Sequence, residues 1–355
     1  MRTKIKDFLK QKDEFFIIDV RNSQDFQKGH IKGSINLTID KIPANLDKRI
    51  ILVGYEDFDS EYEILEGGYE AYYQNRVNNS ITKKYRRELW SKFTKAISQY
   101  KLINENDVIA VCISGGKDSM LMAKLFSELH KHTNIPFELK YIVMDPGYRK
   151  ENRDLIIENA SKLDIPIEIF DTKIFDSVLN LDKSPCYICA RMRRGYLYNY
   201  AKNLGCNKIA LGHHFDDVIE TTLMSMLWGG QIETMLPKLH SENFEGMELI
   251  RPLYLIREEN IIKWRDYNDL KFLQCACKFT EASSINESTS KRLETRKLIK
   301  ELKKTNNQLE MNIFRSMENV QLKNVLGYKK DDEYHYFLDE YDKWIYKKWN
   351  VIWKK

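Results

Sequence analysis

Residues 114–119 read Ser-Gly-Gly-Lys-Asp-Ser and follow the apolar run Val108 to Ile113 directly. Such a run predicts a buried parallel strand. Beyond it, Met120, Leu121, Met122, Leu125, Phe126 and Leu129 recur at the spacing of an amphipathic helix. The six residues therefore form a strand-to-helix turn. Gly115 and Gly116 let the backbone approach a ligand closely and adopt angles that a side chain forbids. Ser114 and Ser119 offer hydroxyls, Lys117 a point charge, and the first N–H groups of the helix favour an anion. The combination reads as a cradle for phosphate or pyrophosphate; the competing reading is a plain glycine turn. The spacing does not fit the common ATPase loop, which needs Gly, four residues, then Gly-Lys-Ser/Thr.

The turn resembles instead the PP-loop of adenylating ATP pyrophosphatases, with six matching residues in strand–turn–helix context. That resemblance implies an adenine nucleotide alpha hydrolase-like fold. It also implies cleavage of ATP between the α and β phosphates, with AMP left on a substrate oxygen. Ser114, Gly115, Gly116, Lys117, Asp118 and Ser119 would then bind the nucleotide.

The surrounding pattern predicts a doubly wound α/β parallel sheet. Strands are expected at 108–113, 138–144, 166–170 and 207–212, alternating with helices at 119–131, 151–163, 187–203 and 215–228. Ligands of such sheets sit at the carboxyl ends of the strands. Asp145 ends the second strand on that edge and is a candidate contact for the nucleoside of ATP. Residues 81–106 read as a basic linker helix, 107–280 as the nucleotide domain, and 281–355 as a helical extension ending in a Tyr- and Lys-rich tail.

Residues 1–80 form a smaller α/β unit. Ile18-Asp19-Val20-Arg21, Asp25-Phe26, Gly29-His30-Ile31, Gly33-Ser34 and Asn36 resemble the opening half of a rhodanese domain. Leu65-Glu66-Gly67-Gly68-Tyr69-Glu70-Ala71 resembles its closing end. An active rhodanese carries a cysteine after the strand that here spans Arg49 to Gly54. This chain continues Tyr55-Glu56-Asp57-Phe58-Asp59, and no cysteine precedes residue 112. A persulfide carrier needs a thiolate, so the unit is expected to be a degenerate rhodanese-like domain, kept for docking or dimerisation or as a tolerated remnant.

Charge adds a weaker hint. Residues 1–80 carry 12 Lys+Arg and 14 Asp+Glu, and the remainder carries 45 and 38. The basic clusters Lys83, Lys84, Arg86, Arg87 and Lys291 to Lys304 are ordinary solvated helix faces or RNA-phosphate contacts. No stretch approaches the 18 or so apolar residues of a membrane span, and Met1 to Lys12 lacks a signal-peptide core. The expectation is a cytoplasmic protein without a membrane partner. Structural disulfides are rare in that compartment, so the six cysteines need another explanation.

Cys186-Tyr-Ile-Cys189 sets two thiols at metal-binding spacing, and Cys275-Ala-Cys277 offers two more. Structural zinc, an iron–sulfur cluster on three thiolates, and no metal at all compete on spacing alone. Several motifs then converge: Pro185-Cys186-Tyr-Ile-Cys189-Ala-Arg191-Met-Arg193-Arg194-Gly195, Gly212-His213-His214-Phe215-Asp216-Asp217, Gly229-Gly230, Pro237-Lys238-Leu239 and Ile250-Arg251-Pro252-Leu253. Together with the loop at 114–119 they closely resemble the tRNA 2-thiocytidine synthetases, iron–sulfur-dependent PP-loop thiolases, over about residues 86–280.

The resemblance implies a [4Fe–4S] cluster, ATP with Mg2+, and tRNA as acceptor. Cys186, Cys189 and Cys275 would hold the cluster, with Cys277 as the alternative third ligand. Gly212 and His213 would join the ATP site. Asp216, Asp217 and Arg193 are the catalytic candidates, although either aspartate also suits a helix cap. Cys112 and Cys206 are expected to be inert buried thiols. Inorganic sulfide or a cysteine desulfurase would supply sulfur, and a homodimer is expected. The rival readings are a thiolase for uridine or a non-tRNA acceptor, and a zinc-stabilised RNA-binding module without catalysis.

Overall fold

Strand β6 (Val108–Ile113) organises the molecule through its alternation. Ile109, Val111 and Ile113 face one hydrophobic core, and Ala110 and Cys112 face another. Only a strand covered on both sides needs apolar residues at every position. The computed structural model describes residues 1–43, 48–54, 60–175, 185–273, 291–339 and 341. The chain divides into two compact units, one of residues 1–217 with 236–285, the other of 218–235 with 286–355.

The first unit contains two sheets. The smaller consists of β1 (Arg2–Thr3), β2 (Phe15–Asp19), β3 (Ile35–Asn36), β4 (Arg49–Val53) and β5 (Glu63–Leu65), in the order β1-β5-β4-β2-β3. All its pairings are parallel. Helices α1 (Ile5–Lys10), α2 (Ser23–Lys28) and α3 (Gly68–Asn79) accompany it. Phe8, Phe15, Ile17, Ile51, Val53 and Leu65 form its core. Asp19 is fully buried and pairs with Arg21 Nη2 at 2.7 Å, and Arg21 also donates to Gly29 O. The aspartate and arginine of the rhodanese-like opening thus brace the end of β2.

The larger sheet joins β6 to β7 (Glu138–Asp145), β8 (Ile167–Asp171), β9 (Lys208–Ala210), β10 (Lys238–His240) and β11 (Glu248–Ile250), in the order β10-β11-β9-β6-β7-β8. β6 has β7 on one side and β9 on the other, so strand order reverses there. The crevice between the carboxyl ends of β6 and β9 is therefore the topological switch point, where doubly wound sheets bind ligands. The expected parallel strands are present within a residue or two. Only β10 departs, pairing antiparallel with β11 at the sheet edge. Helices α5 (Lys117–His132), α6 (Lys150–Lys162) and α7 (Pro185–Asn203) connect the strands.

The linker expected as one helix over 81–106 is not a single regular helix, and its helical stretch ends at Gln99. Two π-helical turns, Ser80–Lys84 and Arg86–Trp90, extend α3 and meet at Tyr85 (φ −107°, ψ 27°) before α4 (Ser91–Gln99) resumes the α conformation. Ile81, Leu89, Phe93 and Ala96 are all buried, so packing overrides the regular 3.6-residue period. The smaller sheet is tied to the nucleotide domain through α3. Tyr73 Oη donates to Asn268 O at 2.7 Å, Gln74 Nε2 to Lys162 O at 2.7 Å, and Arg76 to Tyr267 O and Asp269.

In the second unit, helix α8 (Phe215–Gly229, entering this unit at Val218) carries Glu220, a buried carboxylate. Arg292 Nε at 3.2 Å and Arg296 Nε at 2.7 Å reach it from α10 (Lys291–Lys303). Helix α11 (Leu309–Ser316) follows. The extension is not purely helical, because β12 (Gly327–Lys330) and β13 (Glu333–Tyr336) form an antiparallel hairpin. Asp331 and Asp332 turn it with positive φ at both positions, a two-residue turn for which Asp-Asp is a weaker signal than Asn-Gly.

Candidate active site

The loop after β6 is shaped by its own side chains. Gly115 has φ +82°, a region costly for any residue with a Cβ. A Cβ there would lie 2.7 Å from Ile156 Cγ1 and 2.9 Å from Leu273 Cδ1. Ser119 Oγ accepts from Ser114 N at 3.1 Å and donates to Gly116 O at 3.0 Å, which folds the loop onto the first turn of α5. Gly116, the N-cap, supplies no side-chain acceptor. The leading N–H groups of α5 therefore keep their capacity for an external anion.

Lys117 is held by two carboxylates: Nζ lies 2.8 Å from Glu258 Oε1 and 3.2 Å from Asp118 Oδ2. Burial disfavours its ammonium, yet Asp118 and Glu258 together hold its pKa above the usual lysine range. Asp118 moves the other way for a carboxylate. Burial raises its pKa despite the attraction of Lys117. Its Oδ1 atom is buried and has no hydrogen-bond partner among the described residues. A buried carboxylate oxygen left over beside a phosphate cradle is a suitable ligand for a hard divalent cation.

The second motif docks on the first. A Cβ on Gly212 would sit 3.1 Å from Ser119 N and 3.2 Å from Asp118 C, so glycine permits the chain after β9 to touch the first turn of α5. His214 and Asp217 then exchange bonds across the start of α8. His214 N donates to Asp217 Oδ2 at 3.0 Å, and Asp217 N to His214 Nδ1 at 3.4 Å. This is a capping box with histidine in the place of serine. Asp216 pairs with Arg257 Nη2 at 3.0 Å and accepts from Glu258 N at 2.7 Å, capping α9 (Glu258–Tyr267). The two aspartates thus frame the site, while Asp118 presents an oxygen without a hydrogen bond among the described residues, 3.9 Å from His214 Nε2.

Asp145, buried at the end of β7, accepts from Gly147 N at 2.8 Å, Tyr148 N at 2.7 Å and Arg153 Nη1 at 2.8 Å. Those bonds make it the organiser of its loop. His213 is half-buried beside Gly212. Arg193 lies on α7 with its guanidinium 5.7 Å from the Phe175 ring. Glu258 and Arg257 were not among the sequence candidates. They are 141 and 140 positions from Lys117, and in sequence they read as an ordinary acidic helix start.

The cysteines sort into two groups. Cys112 and Cys206 are buried free thiols. Burial pushes the Cys112 thiol far up, and that of Cys206 up to about 11. Neither suits a thiolate ligand. Cys186 and Cys189 belong to the first turns of α7, but their side chains, and all of Cys275 and Cys277, lie outside the described residues. The four remaining cysteines, Cys186, Cys189, Cys275 and Cys277, are soft thiol donors of the kind iron–sulfur or zinc chemistry uses. Leu273 N donates to Gly115 O at 3.3 Å, so the chain enters the Cys275 segment directly from the phosphate loop.

Comparison with known proteins gives the following. A family model described as PP-loop domain matches residues 86–278, and one described as rhodanese-like domain matches residues 2–148. In the structure, the region where the two overlap contains β6 and β7 of the larger sheet. The tRNA-cytidine(32) 2-sulfurtransferase of Vibrio parahaemolyticus is 34% identical over 248 residues, 68% of this chain and 79% of the relative. The protein of the same name from Pelobacter propionicus is 32% identical over 243 residues, 68% of this chain and 88% of the relative. Among solved structures, the U34-tRNA thiolase NcsA of Methanococcus maripaludis with its [4Fe-4S] cluster superposes with a TM-score of 0.52. It is 24% identical and covers 68% of this chain and 80% of its own, a likeness of fold.

Proposed function

The chain belongs to the PP-loop family of tRNA-cytidine(32) 2-sulfurtransferases, and from that premise we propose that it replaces the C2 oxygen of a tRNA cytidine with sulfur at the cost of ATP. The observation that carries this reading is the contact of Gly212 with the first turn of α5, which joins two separate motifs at one switch point. The C2 oxygen of a pyrimidine is a poor leaving group. Its attack on the α phosphorus of ATP forms an O–P bond, breaks the α–β bridge and releases pyrophosphate. A sulfur nucleophile then bonds to C2, and AMP departs with the original oxygen.

The residues divide the work. Ser114, Gly115, Gly116 and Ser119 with the N–H groups of α5 hold the departing pyrophosphate. Lys117, kept cationic by Glu258 and Asp118, offsets the charge that develops on it. Asp118 suits Mg2+, which when bound neutralises phosphate charge. His213 and Gly212 line the nucleotide side, and Asp216 and Asp217 keep α8 and α9 in register with the cradle. Arg193 is assigned to the developing charge on the adenylated base.

Cys186, Cys189 and Cys275, with Cys277 as the alternate, fit a [4Fe–4S] cluster, which when bound supplies an iron without a protein ligand for holding sulfide. The cysteine-free N-terminal sheet supports this assignment, since it offers no persulfide route. Inorganic sulfide or a cysteine desulfurase is the proposed donor. A homodimer is supported by the exposed Met226, Leu227, Trp228 and Ile232 of the second unit. No described helix is long and apolar enough to cross a membrane, and a cytoplasmic location follows from the tRNA substrate. The proposed domain limits are 1–80, 81–106, 107–280 and 281–355.

The test compares tRNA nucleosides by mass spectrometry from cells with and without the gene. Loss of 2-thiocytidine alone, restored by complementation, is expected. An unchanged 2-thiocytidine level overturns the reading.

A further inference from the structure

The N-terminal sheet has no nucleophile, yet it is bonded firmly to the nucleotide domain, and the two enclose a cleft of about 1120 Å³. The cleft shares no residue with the adenylation site. Its walls carry six cations, Lys12, Arg21, Lys28, Lys32, Arg76 and Lys162, against three carboxylates, Asp25, Glu70 and Asp269. Four of the cations are paired within the protein: Lys28 with Asp25 at 3.0 Å, Arg76 with Asp269 at 3.1 Å, Arg21 with Asp19 at 2.7 Å and Lys162 with Glu158 at 2.6 Å. Lys12 and Lys32 form no ion pair among the described residues. Partial burial lowers the pKa of Lys12, and the like charges of Lys32 and Arg76 lower it further against the pull of Asp13. Cations placed to repel one another around a cavity are relieved by an anion.

The walls are also aromatic. Tyr69, Tyr72 and Tyr267 line the cleft, with Arg21 at 4.0 Å over the Tyr69 ring and Arg76 at 5.0 Å over that of Tyr267. Interleaved cations and rings suit nucleic acid, whose phosphates and bases present charge and π-faces in turn. A small-molecule site is typically about 300–1,000 Å³; this cleft, of about 1120 Å³, is larger and carries charged side chains around its walls. The hydrogen bonds from Tyr73, Gln74 and Arg76 hold both walls in place, so little is lost in ordering the site on binding.

We propose that this cleft is a docking groove for the ribose–phosphate backbone of the tRNA substrate, which gives the degenerate rhodanese-like sheet a binding role in place of sulfur transfer. The inference rests on the tRNA reading of the active site. Lys12 and Lys32 contact phosphate, and the tyrosines offer stacking surface.

Anisotropy of fluorescently labelled tRNA, titrated with the full chain at several salt concentrations, tests the proposal. The double variant Lys12→Ala/Lys32→Ala is expected to bind about 10-fold more weakly, with a salt slope smaller by about 1 to 2. Lys12→Arg/Lys32→Arg is expected to restore both, and the affinity for ATP should be unchanged in either. Equal affinity and slope in the alanine variant overturn the proposal. So does an alanine variant that loses inorganic pyrophosphate binding while keeping that of tRNA, which marks a small-anion site. If the unmodified chain binds no tRNA at all, the tRNA reading itself falls, an outcome distinct from a wild-type complex indifferent to the alanines.

Discussion

The two sheets of the first unit are built alike and differ at their carboxyl edges. Each has a parallel core braced by a buried carboxylate at a strand end: Asp19 closes on Arg21, and Asp145 on Gly147, Tyr148 and Arg153. The larger sheet then adds a glycine-rich loop, a lysine between two carboxylates and, at Asp118 Oδ1, a buried oxygen without a hydrogen-bond partner among the described residues. The smaller sheet adds cations and rings, with the carboxylates of Asp25 and Glu70, around a cleft. Parallel α/β architecture supplies the edge, and the residues placed on the loops decide whether that edge performs chemistry or binds.

Breaking the chemical side should have the largest effect. Cys186→Ala or Cys189→Ala is expected to reduce thiolation to background while ATP still binds, measured by nucleoside mass spectrometry and calorimetry. Thiolation surviving in either variant would remove the cluster from the proposal. Next comes Lys117→Ala, for which a fall of about 10²–10³ in the rate of adenylation is expected. The readout is pyrophosphate release in single turnover with saturating tRNA.

Two changes sharpen the account of how the cradle is held. Asp118→Asn should raise the Mg2+ concentration needed for half-maximal rate by about 10-fold; an unaltered Mg2+ curve would leave Asp118 as a partner of Lys117 only. Glu258→Gln frees one side of Lys117 and should cost a smaller factor, about 3- to 10-fold, in the adenylation rate. On the other side of the comparison, Phe8→Ala empties a fully buried position under the small sheet. Thermal melting should show a loss of about 3–5 kcal/mol, with the affinity of the larger sheet for ATP unchanged.

Local sequence determined much of this. The strand at 108–113 was legible to the residue because six apolar positions in a row admit little else, and the glycines at 115 and 116 marked a turn of unusual backbone angles; that Ile156 and Leu273 crowd Gly115 is visible only in the fold. The missing thiol of the N-terminal unit was equally plain. Other features depended on partners far away in the chain. Glu258 gains its role only because α9 delivers it to Lys117, and in sequence it is one more acidic helix start. The aspartates at 216 and 217 read in sequence as catalytic candidates that also suit a helix cap, and only the fold shows Arg257 and His214 beside them. Tyrosine and lysine scattered from residue 12 to 267 carry no periodic signal at all, and it is the packing of one sheet against the next domain that gathers them around a single cleft. Hydrophobic pattern and backbone sterics act between neighbours and can be read along the chain; charge pairing acts through space, and only the folded structure brings those charges together.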